Sequence, residues 1–102
     1  MENIAYSKVI DAIIRNVGLD DFLENSLNKI LQIEESSIQK KLDIIEKELH
    51  EYETKYDLSS DEFSKRFNDG ELDDRTDYID WYSLVDSREK LLSTLILVRQ
   101  WI

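Results

Sequence analysis

Apolar residues along this chain recur at intervals of three and four, and nowhere in strict alternation, so the pattern predicts helices and no strands. Ile4, Val9, Ile10, Ile13, Ile14 and Val17 share helical spacing, with Gly18 after them as a C-terminal cap free to take positive φ. A short first helix is expected there. Asp20 or Asp21 is placed to cap a second helix, which carries Phe22, Leu23, Leu27, Ile30 and Leu31. From Leu31 onward, Ile38, Leu42, Ile45, Leu49, Tyr52 and Tyr56 form a heptad-like seam interrupted only by Glu35.

Unbroken from Phe22 to Tyr56, that helix is about 50 Å long at 1.5 Å per residue, against about 38 Å for a last helix from Tyr78 to Ile102. A single intrachain partner leaves part of it uncovered. Ser36 and Gln39 form a possible capping box that would divide it near Glu34 to Ser37, but the run of periodic positions favours continuity.

The connection to the last helix has the densest local signals. In Leu58-Ser59-Ser60-Asp61-Glu62-Phe63, Ser59 is placed to accept from the N–H of Glu62, the Glu62 side chain to return the bond, and Leu58 to meet Phe63 as a staple. A short third helix burying Phe63 and Phe67 then ends at Asn68-Asp69-Gly70, and a loop from Glu71 to Asp77 leads to a cap at Thr76 or Asp77. The last helix is apolar almost all round from Leu91 to Ile102, which predicts burial on more than one side. The expected fold is all-α: one helical domain over residues 1–102, a small antiparallel bundle of about four helices in which the long and last helices pack together. Surplus apolar surface predicts a homodimer, through Leu31, Ile38, Leu42, Leu92, Leu95, Ile96 and Trp101. Charge positions do not settle its orientation, because a parallel seam sets Lys41 favourably against Glu46 and Glu48 unfavourably against Glu53.

Charge changes the picture of partners more than of fold. Among 102 residues, 23 are acidic and 13 basic, for a formal net charge of -10, while 41% hydrophobic content is too high for a disordered chain. Such a charge repels nucleic-acid phosphates and anionic membrane surfaces and suits a basic protein partner. The absence of cysteine excludes disulfides and thiolate metal sites and fits a reducing compartment, so the expected location is cytoplasmic. Met1 to Tyr6 lacks the features of a signal peptide, and the longest apolar run, Leu95 to Val98, is too short to span a bilayer.

Little of the chain reads as catalytic. The acids Asp69, Glu71, Asp73, Asp74 and Asp77 have the chemistry for a hard cation, but their spacing is not that of an EF-hand; a solvated turn or a docking surface for a basic partner fits them better. Glu48, Glu51, Asp77 and Asp80 resemble the paired acids of all-helical magnesium-dependent nucleotide pyrophosphohydrolases, a pattern that a chain this acidic also produces by chance. His50, the single histidine, falls off the seam and is expected in solvent, with no second histidine to activate a serine nucleophile. Trp81 and Tyr82 are expected to pack on Tyr52, Tyr56, Phe63 and Phe67 as core and not to stack on bases.

Tyr56-Asp-Leu-Ser-Ser-Asp-Glu-Phe63, Phe67, Gly70-Glu-Leu72 and Asp77-Tyr-Ile-Asp-Trp81 together resemble a small acidic helical family of prokaryotic toxin-antitoxin modules, with the pattern KYG-x-S-x-E-E-F, an acidic G-E loop and D-D-Y-x-E-W. About a quarter of the chain carries the resemblance. Asp57 stands where the pattern has glycine and Asp80 where it has glutamate. The resemblance implies an antitoxin-like, non-catalytic protein that neutralises a basic toxin by direct contact, without catalytic residues or cofactor. The expected contacts are Glu71, Asp73, Asp74, Asp77 and Asp80. A magnesium-dependent nucleotide hydrolase and a purely structural oligomerisation protein are the alternatives.

Overall fold

The computed structural model describes residues 8–12, 15–16 and 21–101. It is an all-helical bundle with no strand among the described residues. Helix α1 spans Asp21–Tyr56, α2 Ser60–Asn68 and α3 Thr76–Trp101, and residues 8–12 and 15–16 are also helical. The Gly18 and Asp20 caps fall outside the described residues. Continuity of the long helix is borne out: α1 runs through Ser36 and Ser37 for 36 residues, and the Ser36 capping box is not used. Among the described residues, no helix is long and apolar enough to cross a membrane.

Helices α1 and α3 pack antiparallel, since the partners of successive α1 residues fall steadily back along α3. Glu35 accepts from Arg99 Nε at 2.8 Å, Glu46 pairs with Arg88 at 3.7 Å, Tyr52 stacks on Trp81, and Lys55 meets Asp77 at 2.6 Å. Glu35 therefore interrupts the apolar seam because it holds a cation of the facing helix. The seam buries Ile38 and Leu42 against Leu95 and Val98, with Leu31 and Leu91 packed beside them. Ile38, Leu42 and Leu95 are thus at most 4% exposed within a single chain. This corrects their assignment to a dimer interface, because two helices of one chain already satisfy the heptad pattern. Leu92, Ile96 and Trp101 keep exposed surface, and Leu31 is half-buried.

A second cluster closes the other end of the bundle around Leu49, Phe63, Trp81 and Val85. Trp81 lies flat on Phe63, centroids 3.9 Å apart, and also stacks on Tyr52 and Tyr56, while Phe67 stacks on Tyr82. The aromatics are core, as expected. A buried indole N–H needs an acceptor, and Trp81 Nε1 donates to the buried Ser60 Oγ at 3.0 Å.

The two turns of this corner have the same construction. At the end of α1, the Leu58 N–H reaches back to the Glu53 carbonyl across Asp57, whose φ is 51°. At the end of α2, Glu71 N–H donates to Arg66 O and Gly70 N–H to Phe67 O, with Gly70 at φ 73°. Both close with an N–H reaching back over a left-handed residue just past the helix, and the second adds the shorter bond that makes it a Schellman motif. Gly70 meets that requirement freely; Asp57 does so at a cost, and adds a negative charge to the negative end of the α1 dipole. Replacing Asp57 with Gly is expected to raise stability by about 0.5–1 kcal/mol, read from urea unfolding, and Asp57→Val to lower it. Loss of stability in the glycine variant would mean that the aspartate side chain has a role of its own.

The start of α2 differs from the expected reciprocal box in one bond. Ser59 Oγ accepts from Glu62 N–H at 3.1 Å, but the Glu62 carboxylate pairs with Arg66 at 3.5 Å. The carboxylate of Glu53, near the end of α1, takes the N–H of Ser60 at 2.9 Å. A tertiary acceptor thus completes the cap and ties α2 to α1. Leu58 packs on the aromatic cluster.

Candidate functional site

The acids expected to meet a partner lie where the last turn of α1, the loop after α2 and the first turn of α3 converge. Within the loop, Asp73 folds back on Arg75. Its carboxylate accepts from the Arg75 backbone N–H at 3.1 Å, from Nε at 2.9 Å and from Nη2 at 2.8 Å. The guanidinium lies over the Tyr78 ring, 4.5 Å from its centroid. Helix α3 then begins at Thr76, with the Arg75 carbonyl accepting from Tyr78 and Ile79. Asp77 is inside the first turn and does not cap it. Its carboxylate reaches α1, accepting from Lys55 Nζ and Tyr56 Oη, both at 2.6 Å.

Two of the five acids are therefore committed inside the chain. The Arg75 side chain, helped by its backbone N–H, holds Asp73 down at about 2. Hydrogen bonds from Lys55 and then Tyr56 hold Asp77 below the usual carboxylate range. A depressed carboxylate stabilises the fold above its unfolded value, so the Asp73 contribution is complete above about pH 4 and is lost as the pH falls through about 2. Arg75→Gln is expected to return Asp73 to the ordinary carboxylate range in a carbon-detected NMR titration of the carboxyls. If Asp73 still titrated near 2 in that variant, the guanidinium would not be the cause.

Glu71 and Asp74 are exposed on the same loop, and their side chains make no hydrogen bond or ion pair among the described residues. Asp80, one turn into α3, points to a different feature. With Ser83, Leu84 and Ser87 it forms one wall of an open groove of about 630 Å³, whose other wall is Glu48, Glu51, Tyr52 and Lys55 of α1. Glu48, Glu51 and Asp80 are all exposed and without an ion pair among the described residues, whereas the one cation of the groove, Lys55, is engaged by Asp77. The groove is acidic for that reason. The Tyr52 phenol at its floor is raised above its ordinary value by burial first, and then by Asp80 and Asp77.

The structure thus regroups the residues singled out in the sequence. Of Glu48, Glu51, Asp77 and Asp80, three line the groove and Asp77 is held apart by Lys55 and Tyr56. Among the described residues, no three His, Asp or Glu side chains come close enough to hold a metal ion. His50 is exposed.

Arg75 and Arg88 stand singly among acids in the sequence, yet both are paired in the fold. Arg88, largely buried on α3, lies within 3.4–3.8 Å of Asp61, Glu46 and Glu89 and so joins all three helices. The local signal was present for Arg75, an Asp-x-Arg turn, but for Arg88 the partners lie 27 and 42 positions back. Comparison of the chain with known protein families, curated proteins and solved structures finds no match.

Proposed function

We propose that this chain is a non-catalytic, antitoxin-like protein of the cytoplasm that neutralises a basic toxin by direct protein–protein contact. The observation that supports it is the division of labour among the acids. Asp73 and Asp77 are already neutralised within the chain, while Glu71, Asp74 and Asp80 stand exposed with no cation among the described residues. Unpaired carboxylates on a chain of net charge -10 steer a positively charged partner and discriminate against an acidic one. Homodimerisation belongs to the same reading, through Leu92, Ile96 and Trp101, the members of the expected interface that still offer surface on α3. The hydrolase alternative requires Asp77 to join Glu48, Glu51 and Asp80 around one ion, and its bonds to Lys55 and Tyr56 would first have to break.

The test is co-expression with the basic proteins of the same host, followed by mass measurement of the purified complex and a growth assay. The expected result is one small basic protein at fixed ratio, toxic when expressed alone and harmless with this chain. Glu71→Gln, Asp74→Asn and Asp80→Asn combined should weaken that complex by about tenfold or more at low salt. The melting temperature should stay unchanged, since none of the three side chains is bonded among the described residues. If no basic protein associates and no growth arrest is relieved, the reading is wrong.

A further inference from the structure

Helix α1 carries two stripes at heptad-like spacing, and α3 covers only one of them. The covered stripe is the seam through Ile38, Leu42 and Leu49. The second runs through Ile30, Ile33, Ser37, Lys40 with Lys41, Ile44, Glu48 and Glu51, again at steps of three and four, so these residues share one side of the helix. Ile30, Ile33 and Ile44 are 61%, 65% and 60% exposed. Isoleucine is a mediocre helix former, so local helix propensity gives no reason for three of them in water on one stripe. Between Ile33 and Ile44 the side chains of this one helix leave a shallow, open depression bordered by Ser36, Ser37, Lys40 and Lys41. Beyond Ile44 the stripe enters the acidic groove shared with Asp80.

The stripe therefore changes character along its length: apolar at Ile30 and Ile33, basic beside Lys40 and Lys41, apolar again at Ile44, and acidic at Glu48 and Glu51. We infer that it seats an amphipathic helix of a partner, apolar along one face, with a carboxylate opposite Lys40 and Lys41 and Arg or Lys side chains at the end that meets Glu48, Glu51 and Asp80. From Ile30 to Glu51 the stripe is about 32 Å long, which matches a partner helix of about six turns. The inference rests on the reading of the chain as a binder of a basic protein and specifies which segment of that protein is held. Charge selects the occupant. Lys55, the cation of the acidic groove, is already paired with Asp77, so the incoming helix must bring its own positive charge. A second copy of this chain brings another -10 instead.

The probe is a fluorescent 21-residue helical peptide with leucines at three-four spacing, one central glutamate and three arginines at one end, titrated into the full chain by anisotropy. Saturable one-to-one binding is expected. Ile33→Asp combined with Ile44→Asp should weaken it by about tenfold or more, with the circular dichroism melt unchanged because both side chains are on the surface. Glu48→Arg with Glu51→Arg should weaken it similarly and should allow binding of a control peptide whose arginines are glutamates. No binding, or equal binding by the Ile33→Asp, Ile44→Asp variant, overturns the inference. So does a wild-type dimer by light scattering that the same variant makes monomeric, because the occupant is then a second copy. If a basic toxin is captured and neutralised equally well by that variant, the inference falls and the antitoxin reading stands. If the peptide binds as expected but no toxin exists, the surface stands and the antitoxin reading falls.

Discussion

Trp81→Ala is expected to destabilise the protein by about 3–5 kcal/mol, the largest effect of any single truncation in the chain. The indole is fully buried between residues of all three helices. It lies flat on Phe63, also fully buried, and stacks on Tyr52 and Tyr56 from α1. Its removal deletes three aromatic contacts at once and leaves a cavity that a bundle tied by Arg88 and Asp77 cannot readily collapse to fill. A domain of this size has about 5–15 kcal/mol in total, so the variant should be partly unfolded at 37 °C.

The check is urea unfolding followed by far-ultraviolet circular dichroism. Trp81→Phe separates packing from hydrogen bonding: it keeps a ring against Phe63 but leaves the buried Ser60 Oγ without its donor, at about 1 kcal/mol beyond the lost volume. A Trp81→Ala variant within 1 kcal/mol of wild type would mean that the aromatic cluster does not hold the corner together.

Leu42→Ala is expected to cost about 2–5 kcal/mol, and to do so equally at every protein concentration. Leu42 is 4% exposed and packs with Ile38 against Leu95 and Val98 of the same chain. Were it a dimer contact between folded subunits, its loss would lower the melting temperature only at concentrations where the wild type is dimeric, because mass action adds no stability to the free subunit. Thermal melts over a hundredfold range of concentration decide between the two. A shift that vanishes on dilution would return Leu42 to an interface between subunits. Ile44→Ala, on the exposed stripe of the same helix, serves as the comparison and should change stability by less than about 0.5 kcal/mol.

How the chain divides into helices was legible because the determinants are local. The three-four spacing of Ile38, Leu42, Ile45, Leu49, Tyr52 and Tyr56 fixes the buried face of α1. The Ser59 cap and the glycine at Gly70 act within five residues of themselves, and each was found where expected. The aromatic corner followed too, since an acidic chain has few other places to bury two large aromatic pairs.

Which residues face which was decided only by tertiary packing. A heptad stripe specifies that some helix covers it, in the same chain or another, and only the antiparallel return of α3 assigns Ile38, Leu42 and Leu95 to an intrachain core. The acids illustrate the same limit. Asp73 and Asp74 are adjacent and chemically identical in the sequence, yet one is bound three times by Arg75 and the other by nothing among the described residues. Asp77 is removed from the acidic surface by Lys55 and Tyr56, more than twenty positions away. Ion pairs of this range depend on helix register across the bundle, whereas spacing along the chain records only the side of its own helix on which a residue lies.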